Sequence, residues 1–153
     1  MNTDIQFREA EASDLPALAA LLADDVLGAR RDGPEYMQAY QAAFDAVRAQ
    51  AGNHIILAIR DSEVAGMLQL TFIPGLSRAG MLRAQIESVR VASKLRGKKI
   101  GQMLFEHAIT LAREAGCGLV QLTTDKQRPE AIRFYEQLGF QGSHEGMKLS
   151  LKS

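Results

Sequence analysis

One short segment, residues 84–91, limits the possible folds of this chain more than any other. Its composition is typical of a β-strand, but the apolar residues Ile86, Val89 and Val91 are spaced by three and then by two positions. Side chains of a regular strand alternate between its two faces, so these three could not share one face. An extra residue at position 87 or 88 would restore the phase, as a β-bulge does, splaying the strand and leaving backbone groups unpaired. The alternative is a regular strand in which Ser88 is a small buried polar residue.

A basic, glycine-containing loop follows this strand and leads into a long helix. From Arg96 to Gly101 it reads Arg-Gly-Lys-Lys-Ile-Gly, and an apolar face at helical spacing continues to about residue 115. Glycine lets the backbone approach a ligand, and free N–H groups at a helix start attract phosphate. The pattern is neither a P-loop nor a G-x-G-x-x-G dinucleotide motif. Taken alone, such a run of positive charges is more often a solvated surface.

The remaining segments predict a mixed α/β fold with helices packed on a sheet. In chain order the patterns predict a strand, two helices, three strands, a helix, a strand, a helix and closing strands. The spacing predicts the long helix over residues 98–115, a fifth strand over residues 119–123 and a loop over residues 74–83. The closing strands are predicted from the alternation at Phe140, Met147, Leu149 and Leu151.

Composition and charge argue against several classes of function. Lys plus Arg and Asp plus Glu each number 18 in 153 residues, so the net charge is zero, and we expect no bulk attraction to nucleic acid or a membrane. No segment has the apolar length of a membrane span or the pattern of a signal peptide. The single cysteine, Cys117, cannot form an intrachain disulfide, which favours a reducing cytoplasm. The spacing of His54, His107 and His144 is not that of a zinc site, so no metal is predicted. The length of the chain predicts a single domain over residues 1–153.

Three motifs together resemble the GNAT superfamily of acyl-CoA-dependent N-acyltransferases. They are the broken strand, with Ile-Glu-Ser-Val-Arg-Val at residues 86–91, the basic glycine loop, and Phe-Tyr-Glu-Gln-Leu-Gly-Phe at residues 134–140. The resemblance implies a GNAT fold with about six to seven strands, mostly antiparallel and splayed at the fourth strand, flanked by about four helices. It also implies acetyl-CoA as co-substrate, with its pantetheine arm bonded to the splayed strand and its pyrophosphate held by the loop. The residues so assigned to acetyl-CoA are Val89, Arg90, Val91, Arg96, Gly97, Lys98, Lys99, Ile100, Gly101, Gln102 and Arg128.

Lys99 departs from the family's loop pattern, Arg/Gln-x-x-Gly-x-Gly/Ala, which Arg96 and Gly101 match at its two ends. The middle glycine of the pattern is replaced here, and if this position needs a positive φ, a lysine would be strained. Its backbone N–H is retained, its ammonium group could add a contact to phosphate, and the adjacent Gly97 could share the conformational role. Arg128 stands where many family members carry an asparagine that contacts the cofactor.

Acetyl transfer to an amine needs a base, a donor for the developing oxyanion and an acid for the leaving thiolate. The resemblance assigns the base to Glu87 at the broken strand, acting through water, and the acid to Tyr135, because a phenol pKa near ~10 suits a thiolate. The backbone N–H of Val89 is the expected oxyanion donor. The competing interpretations are an exposed strand glutamate in a surface ion pair and a core aromatic residue beside Phe134.

The acceptor is expected to bind between two irregular stretches, residues 24–40 and 73–83. Arginines there would favour an anionic acceptor and aspartates a cationic one, so the charge of the acceptor stays open. The candidates are Arg30, Arg31, Arg83, Asp24, Asp25 and Asp32. The ending around His144 resembles family members that acetylate aminoalkylphosphonates, which favours a small primary amine.

Two other functions remain open at this point. One is acetylation of a protein lysine or N-terminus, and the other is a non-catalytic acyl-CoA-binding sensor that keeps the fold. The neutral charge and the absence of appended domains favour the small-molecule enzyme over the first of these. The resemblance also implies a homodimer formed through the late strands.

Overall fold

A computed structural model describes residues 4–24 and 28–152, without the side chain of Arg30. The candidates Asp25 and the Arg30 side chain therefore lie outside the described part of the chain. The described residues contain one five-stranded sheet with the strands in sequence order. The strands are β1 Gln6–Glu9, β2 Asn53–Arg60, β3 Glu63–Ile73, β4 Arg83–Val91 and β5 Leu119–Gln121. The first four strands pair antiparallel and β5 pairs parallel to β4, so the predicted mixed, mostly antiparallel sheet is confirmed.

The described residues also form five α-helices. They are α1 Leu15–Ala23, α2 Met37–Ala49, α3 Ser77–Gly80, α4 Ile100–Glu114 and α5 Pro129–Gln137. The helices α1 and α2 pack on one face of the sheet, where Phe44 and Leu57 are buried together. The helix α4 packs on the other face through Leu104 and Phe105, which have no solvent exposure. Burying both faces in this way produces two apolar cores separated by the sheet.

Strand β4 is the point at which the sheet opens. Only Arg83–Gln85 of β4 pairs with β5, against Leu119–Gln121, whereas β4 itself continues to Val91. β5 ends at this third pair, so from Ile86 to Val91 β4 pairs only with β3 among the described residues. The predicted splay at the fourth strand stays a prediction, and Glu87 lies in this stretch.

The prediction of six to seven strands is wrong, because the described residues form five. The predicted closing strands at Phe140 and from Met147 to Leu151 are not formed. Alternation alone does not make a strand, since a strand also needs a neighbour for its backbone groups. In the described part of the chain, residues 144–152 make no backbone–backbone hydrogen bond.

Smaller corrections concern element ends. The helix α4 begins at Ile100 rather than at Lys98, because Lys99 has the left-handed φ of 63° and cannot continue a right-handed helix. Strand β5 ends at Gln121 rather than at Thr123. The predicted loop over residues 74–83 contains the single turn α3, in which Arg78 also has a positive φ of 55°. Among the described residues, no helix is both long enough and apolar enough to cross a membrane.

Candidate active site

A β-bulge in β4 forms the centre of the candidate site. Met67 pairs with Arg90 and Gln69 pairs with Glu87, so Leu68 alone faces two residues of β4, positions 88 and 89. Ser88 has a φ of 56°, which accommodates the extra residue. As a result Ile86, Val89 and Val91 pack in one apolar cluster despite their irregular spacing. The bulge predicted from the sequence is confirmed.

The bulge exposes the polar residues on its outer side. Glu87 and Ser88 are both exposed, so the alternative of a buried serine is wrong. Glu87 forms no ion pair with another described residue, so the surface ion-pair interpretation of this carboxylate finds no partner there. The guanidinium group of Arg90 donates to the carbonyl of Val89 at 3.0 Å. An exposed carboxylate at a break in strand pairing can therefore meet both water and a ligand that follows the strand.

The loop after β4 turns sharply before α4. Gly97 has a φ of 83° and Lys99 a φ of 63°, so the backbone is left-handed at two positions within three residues. Ile100, the first residue of α4, is buried, whereas residues 96–99 are exposed. The first N–H groups of a helix have no partner within it, and here they open towards this exposed turn. Together with the helix dipole, these groups favour an anion at this end of α4.

Some positive side chains around this loop have partners within the protein, and others pair with no described carboxylate. The Arg96 guanidinium donates to the backbone carbonyl of Asp24 at 2.8 Å, and the Asp24 carboxylate accepts the Ser93 N–H at 3.0 Å. The ammonium of Lys94 lies 3.5 Å from Glu63. Lys98 and Lys99, at the start of α4, pair with no described carboxylate.

These contacts change the interpretation of Asp24. The sequence placed it among the candidates for the acceptor, but the structure shows it anchoring the loop that precedes α4. Gln102, which was assigned to the cofactor, uses its amide to donate to Glu106 at 2.9 Å. Lys98 and Lys99 are therefore the cations at the start of α4 that no described carboxylate engages.

Tyr135 lies at the edge of an aromatic cluster centred on Phe105. The ring of Phe105 is fully buried and lies 5.4 Å from Tyr135, 5.8 Å from Phe134 and 6.1 Å from Phe140, measured between centroids. These spacings are those of edge-to-face aromatic packing. The ring of Tyr135 is thus part of the apolar core that also contains Val89 of the bulge.

Burial raises the pKa of the Tyr135 hydroxyl, and the positive charges of Arg128 and Arg90 act against this rise. Arg128 and Arg90 therefore lie close enough to Tyr135 for their charges to act on its hydroxyl. Because the pKa lies above its ordinary value, the hydroxyl stays protonated at neutral pH. A protonated phenol in a partly buried position can donate a proton to a departing thiolate.

A polar strip lies on the same sheet face as Glu87. Arg83 donates to the side-chain oxygen of Gln121 at 3.4 Å, and the Gln121 amide donates to Gln85 at 2.9 Å. Arg83 is half-buried and forms no ion pair with another described residue. The strip is therefore a hydrogen-bonded row in which Gln121 accepts from Arg83 and Gln85 accepts from Gln121, and the charge of Arg83 has no described carboxylate as partner.

Sequence reasoning named Arg83 but missed Gln85 and Gln121. The signal that could have found Gln85 is the alternation of the polar residues Arg83, Gln85 and Glu87 with the buried residues Ala84 and Ile86. This pattern places the three polar side chains on one face of β4. Gln121 could not be assigned in this way, because its position depends on which strand pairs with β4.

The other acceptor candidates are engaged locally. Asp32 accepts from the Tyr40 hydroxyl at 2.8 Å and lies 3.7 Å from Arg31. His144 is exposed and contacts Ser143 at 2.7 Å. Two cavities among the described residues are lined in part by His107, which stacks on Phe7, and neither is lined by a catalytic candidate. Within the described ranges, no three His, Cys, Asp or Glu side chains are grouped so that they could hold a metal ion.

Known proteins share both this fold and this sequence pattern. The acetyltransferase (GNAT) family matches residues 15–140. The aminoalkylphosphonate N-acetyltransferase of Salmonella typhimurium is 32% identical over 139 residues, which is 91% of this chain and 86% of that protein. The crystal structure of a transcriptional regulator from Bacillus halodurans has a TM-score of 0.92 at 48% identity, covering 97% of this chain and 100% of the other. A Clostridium acetobutylicum structure whose description includes acetyl-CoA has a TM-score of 0.74 at 18% identity, covers 97% of both chains, and shows the fold alone.

The chain belongs to the acetyltransferase (GNAT) family, since the family match spans most of its length and includes β4, α4 and α5. It is accordingly an acetyltransferase. The resemblance drawn from the three sequence motifs is confirmed.

Proposed function

We propose that the protein transfers an acetyl group from acetyl-CoA to the primary amine of a small molecule in a ternary complex. The observation that carries this proposal is the bulge at Ser88, which exposes Glu87 on β4, the strand that a short connection joins to the turn at Gly97 and Lys99. This order supplies, along one continuous segment, a site for an extended amide chain and then a site for a diphosphate. The family match supports acetyl-CoA as the donor.

The loop and β4 have the chemistry needed to bind acetyl-CoA. The N–H groups at the start of α4 and the ammonium groups of Lys98 and Lys99 fit the negative charge of a diphosphate. A side chain added at Gly97 would meet no atom within 4 Å, so its positive φ of 83°, rather than crowding, is what favours glycine there. The bulged part of β4, from Val89 to Val91, would bond the amides of the pantetheine arm through its backbone. Arg128, at the start of α5, would add a positive charge near the same end of the site.

The chemical step assigns one proton transfer to each side of the site. Glu87 accepts a proton from the substrate ammonium through a water molecule, which leaves a neutral amine able to attack the thioester carbon. The backbone N–H of Val89 bonds the oxygen that becomes negative in the tetrahedral intermediate. When the carbon–sulfur bond breaks, Tyr135 gives its hydroxyl proton to the thiolate, and the second proton that the attacking nitrogen loses restores the Tyr135 hydroxyl through solvent, so the products are the amide, the free thiol and the one proton held by Glu87. No residue needs to carry the acetyl group, so the amide forms in one direct attack.

The polar strip favours an acceptor that carries an anionic group. Gln85 lies two residues from Glu87 on β4, or about 7 Å along the strand, and Arg83 lies a further two residues away. An amine near Glu87 with a phosphonate, phosphate or carboxylate group reaching Gln85 and Arg83 would satisfy the unpaired charge of the arginine. The name of the Salmonella relative, an aminoalkylphosphonate N-acetyltransferase, supports this class of acceptor.

The test is thiol release from acetyl-CoA with a panel of amines. We expect turnover with aminoalkylphosphonates and amino-sugar phosphates and less with uncharged amines of the same length. Arg83→Gln should raise the KM for anionic amines about tenfold or more, with little change for neutral amines. Arg113→Gln, at the far end of α4, is the matched control and should leave both unchanged. Acetyl-CoA binding without turnover on any amine would contradict the enzymatic proposal for the panel tested.

Two other functions stay alternatives to this proposal. Acetylation of a protein lysine or N-terminus is the alternative acceptor, and lysine peptides in the panel distinguish it. A non-catalytic acyl-CoA sensor is the alternative without chemistry, and it predicts binding with no thiol release. The single domain over residues 1–153 and the cytoplasmic location stay predictions from the sequence.

A further inference from the structure

A cavity lies between the sheet and the C-terminal half of α4, away from the candidate active site. Its volume is about 390 Å³, and its ten lining residues come from β1, β2, β3, α4 and the residue that follows α4. Half of them are apolar, namely Ile56, Leu70, Phe72, Leu111 and Ala115. Sites that bind small molecules have this size and this mostly apolar lining. The cavity is therefore large enough to hold a ligand.

The cavity opens on the side of the sheet opposite to the proposed acceptor site. Leu70 and Phe72 line it and pack in the same apolar cluster as Ile86 of β4. Side chains alternate along a strand, so Gln85 and Glu87, on either side of Ile86, face the other way. A molecule in the cavity would thus be separated from Glu87 by the sheet.

The charged groups around the cavity leave a negative balance. The guanidinium of Arg8 donates to both oxygens of the Asp14 carboxylate, at 2.8 and 2.9 Å, so its charge is already compensated. Glu9 lies 2.7 Å from Nδ1 of His54, and Glu114 forms no ion pair with another described residue. The rim therefore carries two carboxylates against one cation that has its own partner.

The end of α4 adds to this negative potential. The helix ends at Glu114, and the next residue, Ala115, lines the cavity. The last carbonyl groups of a helix carry partial negative charge and favour a cation nearby. Burial lowers the pKa of His107 more than the charge of Glu114 raises it, so this ring is neutral at neutral pH and does not repel a cation.

Aromatic rings form part of the wall. The His107 ring stacks on Phe7 with 4.3 Å between centroids and an angle of 8° between planes, which fixes its orientation. The His54 ring lies 5.5 Å from the ring of Phe72. Aromatic rings offer flat apolar surface, and the face of a phenyl ring also attracts a positive charge. Apolar surface, aromatic rings and carboxylates therefore meet in one cavity.

We propose that this cavity is a second binding site, for a small organic cation with an apolar body, such as an aryl- or alkylammonium. The apolar body would contact Leu70, Phe72 and Leu111, and the positive group would lie near the carboxylates of Glu9 and Glu114. The same carboxylates disfavour an anion, and a neutral molecule would gain no ionic contact. The inference goes beyond acetyl transfer and does not rest on it.

Proton NMR of the histidine rings tests binding and location together. The chain has three histidines, and His54 and His107 line the cavity whereas His144 does not. The probe is benzyltrimethylammonium, which has no N–H and cannot accept an acetyl group. We expect the signals of His54 and His107 to shift and saturate with a Kd on the order of 1 mM, as for a ligand of about eleven heavy atoms. The His144 signal should stay in place. No shift up to about 20 mM, or a shift of His144 alone, would overturn the proposal.

The charge of the ligand is tested with two probes that share the phenyl ring. Benzyl alcohol and benzoate should bind more weakly than the cation, and benzoate most weakly. Glu114→Gln should raise the Kd of the cation about two- to fivefold, since one partly solvated ion pair is lost. Asp45→Asn, an exposed position on α2 across the sheet, is the matched control and should leave the Kd unchanged. Equal affinity for benzyl alcohol and the cation, or an unaltered Kd in Glu114→Gln, would refute recognition of a cation.

Two further variants locate the site. Ala115 is exposed, so Ala115→Phe should leave the core intact, with an unaltered thermal transition in circular dichroism, and should fill the cavity and remove the shifts of His54 and His107. Glu87→Gln should leave both shifts unchanged. Binding that survives Ala115→Phe but is lost in Glu87→Gln would place the cation at the proposed acceptor site and overturn the inference. None of these measurements uses acetyl transfer, so a failure of the proposed activity and a failure of this inference can be told apart.

Discussion

Substitutions at Lys99 can separate the effect of its backbone conformation on stability from the effect of its charge on binding. Its φ of 63° is left-handed, a conformation that costs an L-residue with a Cβ roughly 1–2 kcal/mol. Lys99→Gly removes this strain but adds about 0.5–1 kcal/mol of entropy cost, because glycine is freer in the unfolded chain. We expect a net gain in the free energy of unfolding of about 0.5–1 kcal/mol. For a chain of 153 residues this corresponds to a rise in Tm of roughly 2–3 °C.

The second half of this prediction concerns acetyl-CoA. Loss of one exposed ammonium near a phosphate should cost about 0.2–1 kcal/mol of binding free energy, or roughly a 1.4- to 5-fold rise in Kd. Lys99→Ala is the matched variant, because it loses the same charge but keeps a Cβ at the left-handed position. The two variants should therefore bind acetyl-CoA equally weakly while only the glycine variant gains stability.

Differential scanning fluorimetry and isothermal titration calorimetry measure the two effects separately. The difference between variant and parent affinity should also shrink at high salt, since the contact is exposed. If the glycine variant melts below the alanine variant, the left-handed backbone at this position is wrong. If both variants bind acetyl-CoA as tightly as the parent, the ammonium group does not contact the diphosphate.

Three further changes test the remaining assignments. Tyr135→Phe should lower kcat about 100-fold or more without changing the Kd of acetyl-CoA, and an unaltered kcat in steady-state assays would remove the general-acid role. Glu87→Gln should lower kcat/KM at neutral pH by a similar factor. Part of the rate should return as pH rises, because more of the amine is then neutral in solution. A ratio of variant to parent kcat/KM that stays constant across the pH–rate profile would contradict the base assignment. Asp14→Asn should cost about 2 kcal/mol at pH 7, because the hydrogen bonds from Arg8 lower the pKa of the Asp14 carboxyl below its ordinary value of 3.8. That contribution is complete above the pKa of Asp14 in the unfolded chain and is lost as pH falls through its lower pKa in the folded protein. Urea unfolding curves of parent and variant should therefore converge in acid. A difference in unfolding free energy that stays constant with pH would contradict this dependence on the Asp14 carboxyl.

Local patterns were enough to predict the bulge in β4. The broken phase of Ile86, Val89 and Val91 indicated it, because three apolar residues with that spacing can share one strand face only if the strand carries an extra residue. The sequence also predicted that Lys99 would be strained if its backbone had a positive φ, since left-handed backbone restricts residues that carry a side chain. These features depend on a few consecutive residues.

Features that depend on distant parts of the chain were missed or misassigned. Asp24 was placed at the acceptor because it lies in a loop, but its contacts with Ser93 and Arg96 arise from tertiary packing 69 and 72 residues away. Gln121 joined the polar strip only once β5 was paired with β4. The closing strands had the correct alternation, but whether a strand forms depends on a neighbour that alternation does not reveal.

The aromatic cluster around Phe105 has a consequence for which thioesters the protein can use. Phe105 lies in α4, the helix that begins directly after the turn at Gly97 and Lys99, and its ring lies 5.4 Å from that of Tyr135 on α5, measured between centroids. A side chain at Gly101, in the first turn of α4, would also lie 3.9 Å from Phe134, so α5 packs on the start of α4 as well as on its middle. The packing of α5 on α4 and on one buried ring therefore fixes the distance between the proposed diphosphate site and the hydroxyl of Tyr135. If both proposed roles hold, a thioester whose arm is one amide unit shorter than pantetheine should still bind through its diphosphate, but its sulfur would not reach the Tyr135 hydroxyl.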